Sequence, residues 1–390
     1  MKVLYISPYP PAPDGIGRYT HLLAEAVRDR GSDVRIVVPR PVADAPPEVA
    51  GTIAWLRWRE ADMRRIAEFQ PDIIHLQFAV AAFGARTVML VRRVTELRRK
   101  FGIPVVVTMH EVTRDTALLR AFGRLLYRRI AAVCDLAIVH TQTALAALSD
   151  EIGVPSSRVT VIPHPAATPP RGSTHPAELR ARFGIGTARI LLAFGFIHVD
   201  KGLDDLVSAL GLLRRTTLAG LDDVRVVVAG AVRRRHGPFR AFELRDRLYL
   251  RRVLRLARRM GVRDQLILTG YVPDQDVPGW FAAAAGAVLP YRRIEQSGVA
   301  GLAIALDVPV LASRVGGLDE LFGSSPWTFA AGDPAGLADV VARFLASPQD
   351  LNRTAVVPTG GADLPAVTAA TEIVYGRAIH GLAGTVAHVG

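Results

Sequence analysis

The sequence predicts an α/β protein made of doubly wound parallel sheets in two domains. Short β-branched runs alternate with helical stretches along the chain, the signature of βαβ units. The alternation stops once, at the proline-rich segment PHPAATPPRGSTHP (163–176), and then restarts. The length, 390 residues of which 50% are apolar, exceeds what one hydrophobic core usually takes in.

In the first half the strand candidates are VLYIS (3–7), VRIVVP (34–39), IIHLQ (73–77), VVVTM (105–109), LAIVH (136–140) and VTVIP (159–163), with helical patterns between them. The second half offers RILLAFGF (189–196), VRVVVAG (224–230), LILTG (266–270), AVLP (287–290) and PVLAS (309–313). The expected domains are therefore 1–165 and 177–350, joined by a linker at 166–176. Beyond Asp350 the pattern fades, and TAATEIVYGRAIHGL (368–382) regains helical periodicity; a helix at about 365–385 is expected to pack back on the first domain. Ligands of such sheets gather beyond the C-terminal strand ends, so the two domains are expected to face each other across a ligand-binding cleft.

The net charge of +12 is carried almost wholly by arginine, since Lys2, Lys100 and Lys201 are the only lysines. Aromatic residues make up only 7% and no nucleic-acid module is present, so nucleic acid is not an expected partner. The basic runs RRVTELRRK (92–100), RAFGRLLYRR (120–129) and the Arg-dense stretch 233–259 fall on expected helices. They read as solvated faces or as a surface that meets anionic lipid at the inner face of the membrane. The uncharged stretch Val277–Tyr291 is broken by Pro278, Gly279, Gly286 and Pro290, and falls short of the roughly 20 apolar residues of a spanning helix. The N-terminus reaches proline too early for a signal peptide, and Cys134 is the single cysteine, so a reducing cytoplasm is the expected location.

Several short motifs bear on chemistry. In PYPPAPDGIGRYTHLLAEAV a strand gives way to a Gly15/Gly17 turn and a helix, where glycine lets backbone approach a ligand closely, or simply makes a turn. His110 ends the strand run VVVTMH, the end at which α/β enzymes place chemistry, although a lone histidine is often structural. Lys201, in FGFIHVDKGLDDL, follows a strand at a helix start, where an ammonium can answer a diphosphate. In PYRRIEQSGVAGLAIALDVP, Ser297, Gly298 and Val299 open a helix whose free N–H groups suit a phosphate. Asp274-Gln275-Asp276 has an acidic pair spaced as in some metal–nucleotide sites, but its place before VPGWFAAAA makes Asp276 a helix N-cap. No cluster has metal-ligand spacing, so no metal is expected.

Taken together and in order, these segments resemble the retaining GT-B glycosyltransferases of family 4. The resemblance also rests on VIPHP, LTGYVPDQDVPGWFAAA, PVLASRVGGLDEL and AGDPAGLADVVARFL, and covers most of the chain. It implies a GT-B fold and transfer from a UDP- or GDP-linked sugar to a glycan, lipid-linked or small-molecule acceptor, without cofactor or metal. By position it implies that Gly15 lies between acceptor and donor phosphate and that His110 lies beside the transferred sugar. It further implies that Lys201 and the backbone of Ser297, Gly298 and Val299 hold the diphosphate, with Val272 near the nucleobase.

The departures from the family pattern are specific. The positions of its two glutamates fall on Ile294 and Leu302, with Glu295 one residue off, and its arginine falls on Phe196, with His198 a possible substitute. Asp14 replaces the first of two glycines in the N-terminal loop. A carboxylate on ribose hydroxyls makes bonds worth about 1.5–3 kcal/mol each, so its loss weakens donor binding without abolishing it. Two other readings compete with a transferase: a non-catalytic GT-B protein that binds a nucleotide or a partner, and a basic protein binding nucleic acid or membrane. A sugar-nucleotide epimerase lacks the paired strand-end acids it would need for proton transfer.

Overall fold

The computed structural model describes residues 1–11, 14–42, 44–53, 57–165, 169–170, 172, 174–216, 221–234, 240–347 and 363–386. Within the expected linker, residues 166–168, 171 and 173 lie outside the described residues, as do 348–350 at the expected end of the second domain. The described residues fall into two compact units, one from Met1–Pro165 and Ala362–Gly390, the other from Ala166–Gly361.

The first unit holds seven parallel strands: β1 (Lys2–Ile6), β2 (Asp33–Val38), β3 (Val49–Thr52), β4 (Ile73–Phe78), β5 (Val105–Met109), β6 (Leu136–Val139) and β7 (Val159–Val161). Their order in the sheet is β3-β2-β1-β4-β5-β6-β7. The chain builds outward from β1 and then returns to its other side at β4, so β1 and β4 flank the topological switch point. Both faces are covered, which is why the strands read as near-continuous apolar runs. On one side Ile74, Leu76 and Phe78 pack with Leu90, Val94 and Leu97 of the helix Thr87–Phe101. On the other, Val3, Tyr5 and Ile73 meet Tyr19 and Leu23 of the helix Gly15–Asp29 and Val367 and Tyr375 of the helix Leu364–Val386. That C-terminal helix is tied down by Tyr375 Oη, 2.9 Å from Tyr5 Oη, and by the Arg30–Glu372 ion pair at 2.7 Å.

The second unit has six parallel strands: β8 (Arg189–Phe194), β9 (Val224–Ala229), β10 (Leu266–Leu268), β11 (Gly286–Leu289), β12 (Val310–Arg314) and β13 (Thr328–Ala330). Their order is β10-β9-β8-β11-β12-β13, which puts the switch point between β8 and β11. Each unit is thus a doubly wound, Rossmann-like α/β sheet, as the sequence predicts. Two strands have no counterpart in the sequence reading, β3 (VAGT) and β13 (TFA). Both are edge strands of three or four residues. They are held by a single neighbour, and their small, mixed side chains carry no alternation to read.

Candidate functional site

The loops that leave β8 and β11 are bound to each other at the second switch point. After β8 a short 3-10 turn, Val199–Lys201, leads through Gly202 into the helix Leu203–Arg215. Arg292, just beyond β11, donates its backbone N–H to Asp200 O (2.9 Å). Its guanidinium donates to both carboxylate oxygens of Asp205 (2.9 and 2.6 Å) and to Asp204 Oδ2 (2.8 Å). Such forked pairing fixes direction as well as distance. Two glycines allow the backbones this close: Gly202, at φ +60°, where a Cβ would lie 1.9 Å from Pro290 O, and Gly316, at φ +51°, where it would lie 1.9 Å from Ile294 O. The segment from Pro290 to Ser297 is therefore clasped from both sides by backbone that tolerates no side chain.

Lys201 sits inside this clasp. Its Nζ lies 3.7 Å from the centroid of the Tyr291 ring, and Tyr291 is only 2% exposed. A cation over a buried ring face is worth about 2 kcal/mol when desolvated, enough to aim an ammonium. Both residues line a small pocket with Gly195, Phe196, Ile197 and Pro290. Ser297 caps the helix Gly298–Ala305, its Oγ accepting from Ala300 N at 3.1 Å. The N–H groups of Gly298 and Val299, in the first turn, have no intrahelical acceptor, and a Cβ on Gly298 would meet nothing within 4 Å. Gln296 Nε2, just before the cap, is buried without a hydrogen-bond partner among the described residues. The residues expected for the donor diphosphate within this unit, Lys201, Ser297, Gly298 and Val299, thus belong to two loops fastened together at one switch point.

The fate of the missing acids is equally specific. Ile294 and Leu302 pack against the apolar core of the unit, so the positions of the family's glutamates are filled by hydrophobic contacts. Glu295 is turned away from solvent, at 3% exposure, and Arg292 is committed to Asp204 and Asp205 instead. Phe196 is 45% exposed, and the guanidinium of Arg233 lies 5.2 Å from its ring centroid. Arg233 arrives from the loop after β9, held alongside by the parallel bridge between Ile197 and Val232. A cation thus stands beside the position from which the family's arginine is missing. Sequence reasoning missed it, because 196 and 233 are far apart along the chain and only the β8–β9 pairing brings them together. His198 Nδ1 lies 3.7 Å from Asp200 Oδ2, a local pairing within the same turn. Val272 is buried at 9% exposure beside the open Tyr271.

One expectation needs correction. Asp276 stands at the N-cap position but makes no side-chain capping bond. Its carboxylate is taken by Arg182 Nη1 (2.8 Å) and by the Thr174 hydroxyl, which donates to the other oxygen. It fastens the helix Pro176–Arg182 to the segment before the helix Val277–Ala283. In the N-terminal loop, Gly17 permits close approach to the backbone of Pro8 and Tyr9, where a Cβ would lie 3.2 Å away.

In the first unit, Asp14 caps the helix Gly15–Asp29, its Oδ1 accepting from Ile16 N (2.9 Å) and Gly17 N (3.1 Å). Gly15 is open, with nothing within 4 Å of a Cβ, but the two amides after it are occupied by the chain's own carboxylate. His110 directly follows β5 and is buried at 6% exposure. Its Nε2 lies 2.8 Å from the Gln77 amide and its Nδ1 3.2 Å from His140 Nε2. The Tyr19 ring meets it edge-on at 5.1 Å. Burial, helped by the neighbouring histidines, holds His110 well below the usual imidazole range, and holds His75 and His140 at about 3. Both ring nitrogens of His110 are thus engaged within the unit. The signal for its partners was present, since His75 and Gln77 are polar residues at period two in an otherwise apolar strand.

Comparison with known proteins agrees with this architecture. Residues 13–168 match the model described as Glycosyltransferase Family 4, and residues 188–347 match Glycosyl transferases group 1. Between them the two take in most of the chain, which belongs to this glycosyltransferase family and is a GT-B enzyme. A D-inositol 3-phosphate glycosyltransferase from Frankia alni is 29% identical over 325 residues, 79% of this chain and 75% of that one. A 2-deoxystreptamine glucosyltransferase from Streptomyces kanamyceticus is 30% identical over 64% of this chain and 63% of its own length. Among solved structures, Anabaena HepE in complex with UDP superposes with a TM-score of 0.65 at 16% identity, covering 100% of this chain and 99% of that one.

Proposed function

We propose that the enzyme moves a sugar, with retention of anomeric configuration, from a UDP- or GDP-linked donor to a hydroxyl of a glycan, lipid-linked or small-molecule acceptor. The observation that carries this is the clasp at the second switch point, which aims Lys201 and the first-turn amides of the helix Gly298–Ala305 from two interlocked loops. A helix start carries about half a positive charge and free donors, and an ammonium adds a full one. Arg233 beside Phe196 supplies a further cation. The leaving diphosphate is stabilised by these groups in the role that a metal ion plays elsewhere. The names of relatives favour ring polyols as acceptors, and the bound UDP of the Anabaena structure favours a uridine donor.

A second feature bears on where the acceptor is held. On the helix Val112–Val133 the apolar residues Leu118, Phe122 and Leu125 are 51, 57 and 45% exposed, interleaved with Arg120, Arg124, Arg128 and Arg129. Apolar side chains among arginines suit an anionic bilayer surface. Among the described residues no helix is long and apolar enough to cross a membrane, so this contact is peripheral.

One transfer assay tests both points: a panel of UDP- and GDP-sugars against cyclitol acceptors in solution and phosphatidylinositol in anionic vesicles, with and without EDTA. The expected outcome is a product of the donor's own anomeric configuration, formed at a rate that EDTA changes by less than about twofold. Faster transfer in vesicles, lost on Phe122→Ser, supports the bilayer contact. Donor binding without any turnover would make this a non-catalytic nucleotide-binding member of the family.

A further inference from the structure

We propose that Gln77 and His140 are positioning residues that fix the proton of His110 on Nδ1, at the near end of a one-way chain of hydrogen bonds that begins on the C-terminal helix. The chain is built on one face of the first sheet. Tyr5 of β1 stands opposite His75 of β4, and Gln77 opposite Thr108 of β5. His75 and Gln77 point to the same side because strand side chains alternate. Tyr5, His75, Gln77 and Tyr375 are all 0% exposed, so no water competes for these groups.

The direction is set at one end. His140 Nδ1 lies 2.8 Å from the carbonyl oxygen of Ile162, which only accepts, so His140 donates there. A neutral imidazole has one donor and one acceptor, so His140 Nε2 accepts, and the donor 3.2 Å away is His110 Nδ1–H. The neutral His110 ring therefore has its lone pair on Nε2, 2.8 Å from the end of the Gln77 amide placed as Oε1, which sets an acceptor against an acceptor. The neutral network therefore requires the half-turned amide, with its NH2 to His110 and its oxygen to His75 Nε2, which lies 3.2 Å from the end placed as Nε2. The two ends of an amide differ only by a half-turn, and the network decides between them. His75 then carries its proton on Nε2, which Thr108 Oγ1 also faces at 2.8 Å, and accepts at Nδ1 from Tyr375 Oη at 2.6 Å. Tyr375 in turn accepts from Tyr5, 2.9 Å away.

The opposite amide orientation, oxygen towards His110, fits only a doubly protonated ring. Burial opposes that state first, and His140 from the end of β6, His164 from beyond β7 and His75 from β4 oppose it further, while the uncharged Tyr19 ring from the helix Gly15–Asp29 stands edge-on to His110. Glu111, the adjacent carboxylate, is paired with Arg114. A half-turn of Gln77 would thus accompany any proton taken up by His110, and would move the proton of His75 to the Tyr375 side. The tautomer follows from the hydrogen-bond geometry of buried, neutral rings; only its kinetic consequence rests on the glycosyltransferase reading.

The test is a two-bond nitrogen–proton spectrum of the full chain labelled with nitrogen-15 in its histidine rings, recorded from pH 8 to pH 5. The expected result for His110 is a neutral ring protonated on Nδ1 throughout. A ring protonated on Nε2, or one that titrates in this range, overturns the proposal without any variant being made. In Gln77→Glu a carboxylate replaces the amide beside Nε2, and His110 should gain its second proton and titrate within the range; an unchanged spectrum from a folded variant counts against the proposal. Gln77→Leu should lower kcat about tenfold, the scale seen when a group orienting a histidine is removed, with the donor KM changed less than about threefold. An unchanged kcat in Gln77→Leu, with the wild-type spectrum as expected, overturns the positioning role and leaves the transferase reading standing.

Discussion

The two sheets solve opposite problems at equivalent places. At the switch point between β8 and β11 the loops are joined by charge: Arg292 is forked onto Asp204 and Asp205, and Lys201 is set over Tyr291. Near the switch point between β1 and β4, Asp14 takes the first amides of its own helix, and the buried strand-end histidines are linked to each other and to Gln77. One site gathers cations beside first-turn amides that have no intrahelical acceptor. The other occupies its donors itself and holds a ring uncharged. The difference teaches that a doubly wound sheet fixes where a site lies, while the residues that fasten its loops decide which charge the site receives.

The largest effect should come from breaking the clasp. Gly202→Ala places a methyl group where Pro290 O now lies, 1.9 Å from the new carbon, and at a φ of +60°. It should cost about 2–3 kcal/mol in denaturant unfolding and depress donor binding along with it. A variant of wild-type stability and affinity would mean that the close approach is not needed. The Arg233 position sharpens the same comparison. Arg233→Ala should raise the donor KM about fivefold, within the range of one charge-assisted bond, and Phe196→Arg in that background should restore it. Failure of this rescue, with the first effect present, would assign Arg233 to the donor but remove its equivalence to position 196.

A further effect separates the units by pH. His75 and His140 are held at about 3 in the fold, below the unfolded value of about 6.5, and His110 and His164 are lowered too. Between the folded and unfolded values the unfolded chain binds more protons, so stability is full above about pH 6.5 and is lost as the pH falls below it. Each such histidine adds up to about 1.4 kcal/mol per pH unit. Urea unfolding at pH 7, 6 and 5 should therefore show the first unit losing stability with a slope of more than one proton, and His140→Asn should flatten that slope. Equal slopes in both units would contradict the neutral network.

Much of this was legible in the residues. The bounds of β5 are legible because five β-branched or apolar residues stand between proline and histidine. Lys201 and Ser297–Val299 stand out in the sequence because a lysine in an arginine-rich chain and a serine before glycine at a helix start are local signals. What escaped was non-local. Arg233 reaches Phe196 through strand pairing, and Arg292 reaches Asp204 across two loops. Gln77 and His140 acquire roles only when β4, β5 and β6 lie side by side. Asp276 misled because its position predicts a cap, and a tertiary partner, Arg182, took the carboxylate first.

The central claim is that the donor is gripped by its diphosphate, with apolar Ile294 and Leu302 standing where a ribose acceptor would be. Titration calorimetry of the wild-type chain and of Lys201→Ala with a nucleoside, its monophosphate and its diphosphate tests it most directly. The account predicts that the diphosphate binds at least about tenfold tighter than the monophosphate, a difference of about 1.4 kcal/mol, and that Lys201→Ala removes most of the gap. Equal affinity for nucleoside and diphosphate, or a gap that survives in Lys201→Ala, would contradict it.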